Sequence, residues 1–288
     1  MKKFIIKIFV FCVLVIISIS ITELYIRTIP NSYSKNIYYL KSNASDIQIL
    51  ILGHSHAYNG ILSDFFKENC FNMAMGGQGL AVDEFIMEKH IDSLKYLQCL
   101  IIPLSYHSLI APDAYGGDDR ITYYKIYYGY KKKLFSKKDY ELFARGIEKI
   151  KNHLKKTNPP IKDIEHYMND AKETSNLYNN MKIDTINSYR IEHIVNLCTN
   201  RNIKVVLITI PVTVEYQNML DSTRLAMMYS ESIYLTEKYN NVIYLDYSTD
   251  SMCQDTTYFL NSSHLNKKGA EIFSAKLVRD IDSLGFFK

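Results

Sequence analysis

Two short segments about two hundred residues apart hold the residue types that nucleophilic acyl chemistry needs. Gly53-His54-Ser55-His56 follows an apolar run, and Ser263-His264-Leu265-Asn266 with Gly269 lies near the C-terminus. A serine on a tight turn after a strand presents both its hydroxyl and its backbone N–H to a cleft, and a histidine within reach can take the hydroxyl proton. Ser55 and His264 therefore predict an acyl-transfer or ester-hydrolysis site, with Ser55 as nucleophile and His264 as base.

Such a reaction also needs donors aimed at the charge developing on the tetrahedral intermediate, and the backbone N–H groups of Ser55 and Gly77 are the natural suppliers. Gly77 sits among Gly76 and Gly79, so a plain turn-forming role is the competing reading. His107 can add a third donor if its imidazole is neutral; otherwise it reads as a solvated loop histidine. His56 follows the nucleophile into a helix, which turns its side chain away from that of Ser55 and gives it a structural role. His54 and His56 have no Cys, Asp or Glu at a recognised ligand spacing, so neither a metal nor a cofactor is expected.

These groups must be gathered by the elements between them. Ile47 to Leu52, Phe71 to Met75, Cys99 to Leu104, Ile203 to Ile210 and Val242 to Leu245 have the apolar density of buried strands, and helical patterns separate them. Strands alternating with helices predict an α/β domain with a central parallel sheet covered on both faces. Ligand crevices in such sheets lie beyond the carboxyl ends of the strands, where Ser55, Gly77 and the segment Ser105 to His107 fall.

At these residues the chain resembles the SGNH (GDSL-like) hydrolase superfamily. Gly53-His54-Ser55 stands where that family has Gly-Asp-Ser, Asn72-Met73-Ala74-Met75-Gly76-Gly77 looks like its glycine block, and Asn261-Ser262-Ser263-His264 occupies the Asp-X-X-His position. The resemblance runs from about residue 46 to the C-terminus, outside the middle insert, and implies a flavodoxin-like single domain. Three positions depart from it: His54 replaces the acid beside the nucleophile, Asn261 replaces the aspartate that would orient His264, and Pro103-Leu104-Ser105-Tyr106-His107 replaces the asparagine block. Asn261 matters most, because the same change in a serine protease lowers turnover about ten-thousandfold, although Cys-His-Asn sites show that an amide can orient an imidazole. Asp246 and Asp255 are the carboxylates considered as substitutes.

Lys2, Lys3 and Lys7 precede an uninterrupted apolar and small-residue stretch from Ile8 to Ile21, which reads as an export signal. With its flanks it is long enough to span a membrane, and no Ala-X-Ala precedes a cut, so residues 1–27 are expected to be an uncleaved anchor; the competing reading is a cleaved signal sequence, for which Ser18 and Ser20 have a Ser-X-Ser spacing. The basic flank predicts a cytoplasmic N-terminus and a domain, residues 28–288, on the far side of a bacterial cytoplasmic membrane, facing periplasm or exterior.

The net charge of +4 over 288 residues is too small to imply nucleic acid, and the five cysteines show no metal or redox spacing, so buried free thiols are expected. From about 115 to 180 the chain turns rich in Tyr and Lys, including Tyr123 to Lys133, without a parallel-strand run. This reads as a mostly helical insertion forming a lid or side wall, whose tyrosines would suit sugar rings; the competing reading is compositional bias, with Lys131 to Lys133 a solvated face. The expected activity, by resemblance, is ester hydrolysis or O-acyl transfer of acetyl groups on a cell-surface polysaccharide, with proteins of a polysaccharide-synthesis system as candidate partners. The alternatives are a catalytically degenerate protein that binds or helps assemble envelope polysaccharide, and an envelope lipase or lysophospholipase, which would need a long apolar groove.

Overall fold

The apolar runs that predict strands do form one parallel sheet. The computed structural model of the protein describes residues 1–111, 113–114, 118–131, 139–145, 164–181, 183 and 185–285. In chain order the elements are α1 (Lys2–Thr28), α2 (Ser32–Asn43), β1 (Ile49–Ile51), α3 (Ser55–Gly60), β2 (Cys70–Asn72), α4 (Leu80–His90), β3 (Cys99–Pro103) and α5 (Asp118–Tyr123). They continue with α6 (Ile164–Asn179), α7 (Ile186–Thr199), β4 (Lys204–Thr209), α8 (Val214–Gln217), α9 (Ser222–Lys238), β5 (Val242–Asp246), β6 (Phe259–Asn261), β7 (His264–Leu265) and α10 (Lys267–Ser283).

The chain divides into two compact units, residues 1–41 with 117–157 and residues 42–116 with 158–288. The second contains the sheet, in the order β2-β1-β3-β4-β5 with every pair parallel. Successive strand residues point to opposite faces, and along the central strands β1, β3 and β4 both sets are buried apart from Lys204 at the start of β4, as a sheet covered on two sides requires. Ile49, Ile51, Ile101, Val206 and Ile208 pack with Ala57 of α3 and with Phe273, Leu277 and Ile281 of α10. Leu50, Leu100, Val205 and Leu207 are equally buried on the alternate face, where α7 packs on β4 and α4 packs on α7. The order reverses direction between β1 and β3, and this switch point opens a crevice at the strand ends.

Gly53 shapes that crevice. Its φ is +105°, and a Cβ there would stand 2.4 Å from Cγ of Pro103 at the end of the neighbouring strand. Both the left-handed backbone and the close approach of the two strand ends exclude a side chain. The chain can therefore turn sharply out of β1 and start α3 at Ser55.

The first unit is built differently. α1 is 27 residues long with a mean hydropathy of 3.0 over its most apolar stretch, so it is long and apolar enough to cross a membrane. Its polar end is specific: the Glu23 carboxylate accepts N–H bonds from Glu141 and Leu142 at 2.8 Å each and pairs with Arg27 at 2.6 Å. Tyr33 stacks on Tyr123 at 4.9 Å, and Tyr124, Tyr128 and Tyr130 are buried.

The tyrosine-rich insertion is divided between these two units. Its first part groups with α1 rather than with the sheet, and Tyr124, Tyr128 and Tyr130 are packing residues rather than an open wall for sugar rings. Only α6, in its last part, belongs to the sheet unit. Lys131 alone of the Lys131 to Lys133 run lies within the described residues. The grouping of residues 28–41 with α1 also differs from a division at residue 27.

Gly53→Ala should destabilise the full-length protein in detergent by about 3 kcal/mol or more, since it adds backbone strain and a clash at once. Denaturant unfolding followed by far-UV circular dichroism measures it; a loss within error of zero would remove Gly53 from this role.

Candidate active site

Ser55 is the first residue of α3, and the helix start is held by its predecessor. The His54 ring accepts the His56 N–H through Nδ1 at 3.3 Å, acting as the helix cap. As a first-turn residue, Ser55 has no partner for its N–H four residues back in the helix, which leaves that group directed outward from the turn.

The loop after β2 runs beside this turn, tied by Met73 N–H to Ile51 O at 2.8 Å and Met75 N–H to Gly53 O at 3.0 Å. Gly77 in that loop has a φ of +72°, a conformation glycine adopts freely. Asn72, within the glycine block, serves structure: its amide donates to Ala57 O and Ile61 O at the end of α3.

A residue that the sequence reading missed joins these two segments. Asp83 is buried on α4, and its Oδ1 accepts Gly53 N–H at 3.0 Å and Gln78 Nε2 at 2.5 Å. Burial raises its carboxyl from 3.8 to about 7, against the lowering effect of those two hydrogen bonds. A signal was present: an acid set among Leu80, Val82, Ile86 and Met87 must find buried partners.

His264 reaches Ser55 from the far end of the chain. Its Nε2 lies 2.7 Å from Ser55 Oγ. Its Nδ1 lies 2.9 Å from Oδ1 of Asn261 and 3.1 Å from Ser263 Oγ. The Asn261 atom also accepts the N–H groups of Ser263 at 3.2 Å and His264 at 3.0 Å, so it is the carbonyl oxygen. An oxygen can only accept, which places the proton on Nδ1 and leaves Nε2 with a lone pair facing the Ser55 hydroxyl. That is the tautomer a general base requires.

The turn from 261 to 264 is carried by a short antiparallel pair, β6 and β7, missed in the sequence because it spans only three and two residues. Ser262 O accepts Thr213 N–H at 2.9 Å, tying the turn to the segment after β4. Asp246 and Asp255 are elsewhere: Asp246 accepts Ser248 N–H and Asp255 accepts Thr257 N–H. The carboxylate bound to this turn is instead that of Asp170 of α6. Its Oδ2 accepts Ser262 N–H at 2.9 Å and is also bonded by the Ser262 hydroxyl.

Behind the Ser55–His264 pair, His54, His56 and His107 form a buried imidazole cluster. The His107 ring lies 4.2 Å from that of His54 and 5.1 Å from that of His56, and stacks on Tyr178 of α6 at 4.5 Å. His107 is thus a buried ring rather than a solvated one. Burial, reinforced by the neighbouring imidazoles, holds His54 and His56 well below 6.5, lowers His107 to about 3 and lowers His264, where Asp170 opposes the fall.

Neutral nitrogens from these three rings come within 4.8 Å of one another, a spacing that could hold a cation. His54 is already engaged at both nitrogens, with Nδ1 capping α3 and Nε2 3.3 Å from Ser108 Oγ, so ligation there would cost the cap on which Ser55 stands. His56 Nδ1 is 3.2 Å from Ser105 Oγ. Next to His56 lies a cavity of about 160 Å³ lined by apolar groups including Ile210, Val212, Tyr216, Leu225 and Met228.

The strand order β2-β1-β3-β4-β5 is that of a flavodoxin-like α/β domain. No family model matches the sequence, and no curated protein matches it. Among solved structures, a GDSL-like lipase from Bacteroides thetaiotaomicron is similar at 12% identity and a TM-score of 0.47, covering 88% of this chain and 99% of the other. An active-site mutant of a family two carbohydrate esterase from Clostridium thermocellum is similar at 10% identity and a TM-score of 0.42, covering 84% of this chain and 65% of the other.

The buried titratable groups give opposite pH signatures. Folded-state values lowered below 6.5 mean that the imidazoles contribute stability fully present above pH 6.5 and lost as pH falls, by about 1.4 kcal/mol per pH unit for each ring kept neutral. Asp83, raised to about 7, contributes stability below its unfolded value that is lost as pH rises through 7. The thermal midpoint should therefore fall steeply from pH 6.5 to 4. Asp83→Asn, which keeps the acceptor, should gain on wild type between about pH 4 and 7; parallel midpoint curves for the two proteins across that window would contradict the Asp83 assignment.

Proposed function

We propose that the protein is a serine-dependent ester hydrolase or O-acyltransferase. The observation that carries this reading is Ser55 Oγ 2.7 Å from a His264 Nε2 whose proton is held on the opposite nitrogen by Asn261. Ser55 Oγ attacks the ester carbonyl carbon while its proton passes to Nε2. The Ser55 and Gly77 N–H groups receive the oxyanion. The tetrahedral intermediate collapses as Nε2–H protonates the leaving alkoxide, leaving an acyl-serine. Water or an acceptor hydroxyl, deprotonated by the same nitrogen, then releases the acyl group as acid or as a new ester.

The substrate class we infer is short acyl groups, acetyl first, on a cell-surface polysaccharide. The cavity beside His56 supports a small acyl group: about 150 Å³ is the room that one benzene fills, far less than a membrane lipid chain needs. This weighs against the lipase reading. α1 supports an anchor, and with the basic Lys2, Lys3 and Lys7 flank we infer a single pass through a bacterial cytoplasmic membrane with the sheet unit outside. In that location the accessible acylated partners are envelope polymers, and proteins of a polysaccharide-synthesis system are candidate partners.

The competing reading, a polysaccharide-binding protein without catalysis, draws on Asn261 and is separated by direct labelling. A serine-directed fluorophosphonate should attach to the full-length protein at Ser55, identified by peptide mass spectrometry. Ser55→Ala should lose labelling and at least about a thousandfold of 4-nitrophenyl acetate hydrolysis. Unlabelled, inactive wild-type protein would favour the binding reading, and activity that survives Ser55→Ala would sink the serine mechanism. Within active protein, 4-nitrophenyl esters longer than about six carbons should be turned over poorly, in line with the cavity size.

A further inference from the structure

The amide at position 261 solves only half of what a base needs. It fixes the His264 ring and tautomer, but it carries no charge, and its oxygen already accepts three donors. When Ser55 gives up its proton, an imidazolium forms at a half-buried position whose nearby rings include His54, His56 and His107, where burial disfavours charge. None of these can compensate a positive charge, and low-dielectric surroundings make an uncompensated one costly.

We propose that Asp170, on α6, is a positioning residue that supplies the missing negative charge to His264, so that orientation and charge come from two separate side chains. The inference rests on the serine-hydrolase reading of Ser55 and His264. Geometry carries it: the Asp170 carboxylate is bound to both the N–H and the hydroxyl of Ser262, one residue from Asn261 and two from His264. Ser262 is fully buried, and Thr213 N–H holds its carbonyl, so the anchoring point is rigid. α6 is itself pinned to the same hairpin by Tyr167, whose hydroxyl donates to Thr256 O at 3.1 Å or Phe259 O at 3.0 Å. The Asp170 charge acts on His264 in the direction that favours the protonated ring.

Among the described residues, the titratable groups set against His264 are His56, whose ring lies 5.2 Å away, His54 and His107 behind it, and Asp170 of α6, the acid among them. Removing it therefore has a defined sign. Asp170→Asn keeps an acceptor for Ser262 and deletes the charge, so kcat for 4-nitrophenyl acetate should fall about ten- to a hundredfold. The acid limb of kcat/KM should move to lower pH, because His264 loses the group that favours its protonation. Asn261→Asp should restore most of the activity in the Asp170→Asn background while changing wild type only a few-fold.

A packing role alone would lower activity with the acid limb in place and no rescue by Asn261→Asp. Either that pattern or wild-type behaviour of Asp170→Asn would overturn the proposal. NMR titration of the His264 ring, in the Ser55→Ala protein with and without Asp170→Asn, tests the coupling without needing activity. An unchanged titration would overturn it even if Ser55 proves catalytic, whereas loss of fluorophosphonate labelling at Ser55 in wild type would instead defeat the hydrolase reading.

Discussion

The oxygen of the Asn261 side chain is the point on which the site depends. Two backbone N–H groups and one ring N–H converge on it, which identifies the atom, closes the turn from 261 to 264 and sets the His264 tautomer in a single arrangement. If that turn opened, Nδ1 would have no fixed acceptor, and the proton could move to the nitrogen facing Ser55. The serine would then meet a donor where it needs a lone pair. On the proposed mechanism a hydrogen-bond acceptor is needed at 261, whereas a charge there is not, provided that one arrives from elsewhere.

The opposite side of the crevice is held by an equally local device. The Asp83 carboxylate joins the turn after β1 to the loop after β2, while Met73 and Met75 run hydrogen-bonded beside β1 and Gly53. The two proposed oxyanion donors, Ser55 and Gly77, therefore sit on segments tied together through α4 and the β1–β2 pairing. Gly53 permits the tie, because any side chain there would separate β1 from Pro103. Preorganised donors of this kind stabilise a developing oxyanion without reorganising during reaction.

Legibility from the sequence followed the range of the signal. β1, β3, β4 and β5 were readable because each lies in a largely apolar run, and β2 because an apolar-rich stretch there gives way to glycines, although Ile47 to Leu52 contracts to Ile49–Ile51 once hydrogen bonding sets the ends. Ser55, His264, Asn261 and Gly77 could be picked out because each stands in a local pattern. β6 and β7 are too short to have a period. Asp83 carried a usable signal, an acid inside an apolar helix face, that composition alone did not flag. Asp170 carried none: Met168-Asn169-Asp170 is an ordinary stretch of a polar helix, and only packing brings it to Ser262. The tyrosine cluster misled for the same reason, since an aromatic run looks alike whether it faces a ligand or, like Tyr124 and Tyr128, is buried.

Dividing orientation from charge has a consequence for how such a site is assembled. A carboxylate at 261 would travel with His264 on one turn and be present whenever that turn is formed. A carboxylate on α6 belongs to the segment inserted between β3 and β4, so the base reaches full strength only when that helix is seated against the β6–β7 hairpin through Tyr167 and Ser262. The same helix stacks Tyr178 on His107 and places Asn179 on the Tyr106 hydroxyl, so its seating also closes the imidazole cluster behind Ser55. Burial of that cluster disfavours charge on its rings, so on this proposal the counter-charge to His264 comes from Asp170. The inserted helix thus contributes both the dry surroundings and the counter-charge, and the two effects depend on one packing event.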